Sequence, residues 1–175
     1  MRIVPNWPSS RSREDTPARQ RVMAVERTRW VVVGMDFSDG ALRALEYALE
    51  QANALGASIA CVHAYEDAPG APASEDPAAD NRRQLEEVIL QRTRTARGVR
   101  IDSIVRRGAP WEKLTNVATE LGADMIVIGA DGQRGAASQG FLGTVASRLV
   151  TTSRRSVVVV PSQLPPERAG NWAAR

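Results

Sequence analysis

Apolar residues along the chain alternate between two periods. Segment 29–36, "RWVVVGMD", is a short β-branched run that stops at Gly34, which predicts a buried strand. In the next segment Leu42, Leu45, Leu49 and Ala52 return at helical spacing. Ser38 stands where an N-cap belongs and Gly56 where the helix should close. Segment 57–65, "ASIACVHAY", reads as a second strand, and the Pro-, Ala- and acid-rich 66–80 as a loop. A polar helix over roughly 80–97 follows, stopped by Gly98, and 99–108 alternates like a strand. Pro110 sits in the first turn of another helix that places Trp111, Leu114, Val117, Ala118 and Leu121 on one face. Segment 123–130, "ADMIVIGA", is the most strand-like run. A glycine-dense stretch separates it from a helix beginning at 144 and a last strand over 156–161, "SVVVVP".

Strands and helices thus alternate throughout. That order predicts an α/β fold: one open five-stranded parallel sheet with right-handed crossovers and helices on both faces. In such sheets ligands bind outside the carboxyl ends of the strands. Three polar or glycine-rich loops fall at that edge: "GMDFS" after the first strand, "HAYE" after the second, and "GADGQRGAASQGFLGT" (129–144) after the fourth.

Composition narrows the picture. A length of 175 residues suits one domain with spare length at both ends, and 43% apolar residues can build its core. Residues 1–29 carry seven Arg against three acids, a net of +4; the whole chain is +3, so the remainder is about −1. The basicity therefore belongs mainly to the N-terminal tail; residues 1–28, rich in Pro, Ser and Arg, are expected to be disordered, and 163–175 to form a C-terminal tail. A nucleic-acid partner would rest on that tail alone and is not expected. No apolar run approaches 18 residues, so no membrane span is expected. The single cysteine, Cys61, fits a cytoplasmic protein without disulfides.

The glycine stretch holds five glycines and no lysine. Glycine lets backbone N–H groups approach an anion. Gly143 and Thr144 stand at a helix start, where free N–H groups and the positive dipole end suit a phosphate. The same residues also suit a plain turn, with Thr144 as an ordinary cap. The stretch lacks G-x-x-x-x-G-K-[ST] and G-x-G-x-x-G, which excludes a P-loop NTPase and a dinucleotide fingerprint. Asp36, at the end of the first strand, can accept hydrogen bonds from a ribose hydroxyl or an adenine amine, or can brace the following helix. His63, the only histidine, reads as a packed strand residue, and Cys61 as an inert buried thiol.

"VVVGMDFSDGALRALEYAL", "RRGAPWEKLTNVATELGADMIVIGA" and "GADGQRG" with "GFLGTVASRLV" closely resemble the universal stress protein family, over about residues 28–162. The resemblance implies a Rossmann-like, adenine nucleotide α hydrolase-like sheet in strand order 3-2-1-4-5, and a homodimer. In the family's ATP-binding branch a G-x-x-G-x9-G-[ST] signature holds the phosphates. Gly129 and Gly132 match its first two glycines, and Gly143 with Thr144 its final pair. Asp36 matches the acidic residue that contacts the nucleoside, with Gly34 and Met35 beside it. Ala64 matches the position next to adenine, Ile128 the residue before the first glycine, and Val145 and Ala146 those after the anchor.

Two departures stand out. Ten residues, not nine, separate Gly132 from Gly143, and Asp131 stands where the family often has a basic or neutral residue. Arg134 is placed to offset that charge, unless Asp131 holds a metal. The expectation is a cytoplasmic stress-response protein that binds ATP, with or without Mg2+, and signals through partner proteins. Hydrolysis would be slow at most, because no general base is identifiable. The dimer would form through the edge strand, Val157, Val158, Val159 and Val160, paired about a two-fold axis. The alternative is a nucleotide-free interaction module of the same fold.

Overall fold

In a computed structural model of the chain, residues 28–66, 76–93, 98–132 and 142–161 are described. The expected tail 1–28, apart from residue 28, the tail 163–175 and most of the 66–80 loop lie outside them. The elements run β1 (Trp30–Gly34), α1 (Asp39–Leu55), β2 (Ser58–Tyr65), α2 (Pro77–Arg92), β3 (Ile101–Arg107), α3 (Pro110–Glu120), β4 (Met125–Gly129), α4 (Thr144–Thr152) and β5 (Ser156–Val160). The five strands form one parallel sheet in the order β3-β2-β1-β4-β5, as expected.

β1 is central, and Val31, Val32 and Val33 are fully buried because their side chains alternate between two cores. Val31 and Val33 join α1 and Leu85 of α2 on one face; Val32 joins Leu114 and Val117 of α3 and Leu149 of α4 on the other. Burying one such side chain contributes roughly 1.5–3 kcal/mol.

Helix α1 begins and ends where its caps predict. Ser38 Oγ accepts the Ala41 N–H, and Gly56 turns left-handed at φ 61°. Its buried stripe differs from the expected one. Ala41, Ala44, Leu45, Ala48 and Ala52 face the sheet, while Leu42 and Leu49 flank it half-buried. Small residues let the helix axis lie close to the strands, and the larger leucines cover the margins. Helix α2 also departs from expectation, spanning 77–92 rather than 80–97. Asp76 accepts the Ala79 N–H and Pro77 occupies the first turn, so the cap and the proline set the start. Thr93 caps the other end before Gly98 is reached.

Candidate functional site

At the carboxyl end of β1 the chain turns sharply and is tied down on both sides. The Met35 N–H donates to Val62 O at 2.8 Å. Met35 O lies 2.7 Å from His63 Nδ1, so Nδ1 carries the proton and donates. His63 is buried, and Phe37 stacks on it with ring centroids 4.6 Å apart. Phe37 holds φ 64°, a conformation an aromatic residue adopts at a cost of about 1–3 kcal/mol. The turn points the half-buried Asp36 toward the sheet edge. One of its oxygens, Oδ1, accepts from both the N–H and the hydroxyl of Ser38. The other, Oδ2, would lie 2.8 Å from a Cβ built on Gly132.

The ends of the glycine stretch are held together, since the Gly143 N–H donates to Ala130 O at 2.8 Å. Gly143, not Thr144, is the N-cap of α4, and Thr144 is the first helical residue. The N-cap glycine brings no side chain, so the first N–H groups of this helix have no side-chain acceptor among the described residues. Two other glycines have packing reasons to lack a side chain. A Cβ on Gly129 would stand 2.6 Å from the backbone of Gly40, and one on Gly34 would stand 2.9 Å from Ile128 Cγ2.

These features border one cavity of about 730 Å³ at the carboxyl edge, within the size range of small-molecule sites. Gly34, Met35, Asp36, Ala64, Ile128, Gly129, Asp131, Gly132, Gly143, Thr144, Val145 and Ala146 all line it. Arg134 lies outside the described residues. The structure adds wall residues that the sequence reading missed: Glu66, Trp111, Leu142 and Arg148. Trp111 reads as a core residue from its helical spacing, yet it is half-buried and lies under the Arg148 guanidinium, 5.2 Å from ring centroid to Cζ. Both were findable. Trp111 follows Pro110 at the end of α3 that meets the carboxyl edge, and Arg148 follows Thr144 by four residues, on the same helix face.

Among the described lining residues three are acidic, Asp36, Glu66 and Asp131, and one is basic, Arg148. No cluster of three or more metal-ligating side chains occurs among the described residues. Cys61 of β2 is fully buried in the core on the α1 side of the sheet, and burial pushes its thiol up to about 12. No helix among the described residues is long and apolar enough to cross a membrane.

Comparison with known proteins agrees with this geometry. Residues 28–161 match the universal stress protein family. The universal stress protein in the QAH/OAS sulfhydrylase 3' region of Thermus aquaticus is 34% identical over 134 residues, covering 74% of this chain and 96% of that one. A universal stress protein solved in complex with cAMP is similar at 25% identity with a TM-score of 0.59, covering 78% of this chain and 99% of that one. The Archaeoglobus fulgidus universal stress protein in complex with dAMP is similar at 25% identity with a TM-score of 0.53, covering 76% and 97%. With its strand order, its cavity and the match across residues 28–161, the chain belongs to the universal stress protein family.

Proposed function

We propose that the protein binds ATP in this cavity and acts in stress signalling as a homodimer whose state reports nucleotide occupancy. One observation carries the reading. A single cavity joins the half-buried Asp36 at the end of β1 to an α4 N-terminus whose cap, Gly143, has no side chain. The nucleoside would lie among Gly34, Met35, Asp36, Ala64 and Ile128. The phosphates would meet Gly129, Gly132, Gly143 and the first N–H groups of α4, at Thr144, Val145 and Ala146. That similar proteins have been solved with cAMP and with dAMP supports an adenine nucleotide as the ligand class.

The residues present fit a magnesium nucleotide rather than a dedicated metal cage. Asp131 would contribute one carboxylate to an ion that the phosphates bring in. Turnover is not the purpose of the site. His63 is buried and neither it nor Cys61 lines the cavity, and the Cys61 thiol stays protonated, so neither supplies a base or a nucleophile there.

The test is mass spectrometry of the full-length protein, purified without added nucleotide and then denatured, followed by calorimetric titration with ATP. Co-purified adenine nucleotide or saturable binding is expected. Neither at millimolar ATP would overturn the reading and favour the nucleotide-free interaction module. The excess of carboxylates over cations in the described wall is the observation on that module's side.

A further inference from the structure

Building on that nucleotide reading, we propose that Arg148 is the cation that reads the phosphates of the bound nucleotide, and that Trp111 is the residue that positions it. Arg148 is the one cation among the described residues lining the cavity, against three carboxylates. The chain's single lysine, Lys113, is not in the wall; it lies 3.5 Å from Glu112. Arg148 sits one helical turn after Thr144, on the same helix face, and both line the cavity.

The hold on this guanidinium is of a particular kind. Helix α4, "TVASRLVTT", contains no acid, and among the described residues Arg148 forms no ion pair with a carboxylate. It lies instead over the Trp111 ring, 5.2 Å from the centroid. An indole face attracts a cation but accepts no conventional hydrogen bond. Among the described residues the N–H donors therefore stay available, while the ring holds the group at the cavity rim. A carboxylate partner would have neutralised the charge and occupied the donors. Arginine suits the arrangement better than lysine, because its planar group stacks on an aromatic ring and also grips phosphate oxygens in pairs.

The effect of Arg148 should therefore grow with the number of phosphates and vanish for the bare nucleoside. The test is calorimetric titration of full-length wild type, Arg148→Gln, Trp111→Leu and Trp111→Phe with adenosine, AMP and ATP at fixed salt. Arg148 is exposed, so its variant keeps the fold, and a thermal melt of each variant verifies this. Arg148→Gln should weaken ATP about tenfold, the scale of one charge-assisted contact, and leave adenosine within about twofold. Trp111→Leu should weaken ATP several-fold with the same indifference to adenosine, and Trp111→Phe should restore it, since a ring remains. Equal ATP affinity in wild type and Arg148→Gln, or equal losses for adenosine and ATP, would overturn the role of Arg148. No rescue by phenylalanine would overturn that of Trp111. A wild type that binds none of the three ligands would defeat the nucleotide reading itself, and this inference with it.

Discussion

A Cβ on Gly129 would stand 2.6 Å from the carbonyl carbon of Gly40, so the first turn of α1 lies directly on the end of β4. The first glycine of the expected phosphate signature is thus required by packing before any ligand arrives. Gly129→Ala should push α1 away and cost about 1–3 kcal/mol, the usual penalty for overpacking. A melting temperature within a degree of wild type would show that α1 yields freely.

Gly143 differs. Its backbone, at φ −58° and ψ 160°, accepts any L-residue, and a Cβ there meets only Ala130 O closely, at 3.2 Å. Gly143→Val should leave the melting temperature within a few degrees and abolish ATP binding, by filling the approach to the α4 N-terminus. Unchanged affinity in a calorimetric titration would remove the phosphate role from this position.

These two glycines show how far the sequence could be read. The alternation of periods predicts every element and the order of the layers, because parallel crossovers leave few arrangements. Ser38 and Gly56 bound α1 correctly, since each cap acts through its own local chemistry. Leu42 and Leu49 mislead about its buried stripe, because helical spacing counts large residues while close packing on the sheet selects alanines. The contact between Gly129 and Gly40, about ninety positions apart, leaves no trace in either local segment. The Trp111 and Arg148 pair joins two helices that meet only in the fold, so the spacing within α3 shows Trp111 as core.

In the proposed site Asp36 would have two jobs, which Asp36→Ala alone cannot separate. Its Oδ1 holds Ser38 in the turn, and the proposed site gives the carboxylate a nucleoside hydroxyl as well. Asp36→Ala should weaken ATP by roughly 1–3 kcal/mol, the cost of leaving buried polar partners unpaired, and also lower stability. Asp36→Asn keeps an acceptor for Ser38, so it should recover stability while affinity stays reduced. If Asp36→Asn binds like wild type, the charge on Asp36 has no part in recognition.

Cys61 gives a prediction in pH. Burial disfavours its thiolate and pushes the thiol from the ordinary 9.0 up to about 12. The folded state therefore holds a proton that the unfolded state releases above about 9. The stabilisation is complete below that pH and is lost as pH rises toward 12. At pH 8 the native thiol should not react with Ellman's reagent, and guanidinium should expose it to full reaction. Rapid labelling of the native protein would show that β2 opens.

The proposed dimer rests on which way the edge of β5 faces. Val160 O accepts the Ala130 N–H at 2.8 Å, so the backbone polar groups of Val160 point toward β4. N–H and C=O groups alternate sides along a strand, which turns those of Val157 and Val159 to the side away from β4, where no strand pairs with them among the described residues. A row of unpaired edge groups invites another strand, and pairing with the same strand of a second copy closes the edge symmetrically. The side chains are already in use. Val157 and Val159 pack on the α3 and α4 side, Val158 and Val160 on the α1 side. Val158→Lys would thus damage the core along with the seam and gives an ambiguous result. Val159→Pro is cleaner, because proline removes an outward N–H, spares the ladder to β4 and is tolerated on edge strands. Light scattering at micromolar concentration should give twice the chain mass for wild type, with or without ATP, and the single chain mass for Val159→Pro with the melt retained. A monomeric wild type would defeat the dimer, and a dimeric Val159→Pro would move its interface away from β5.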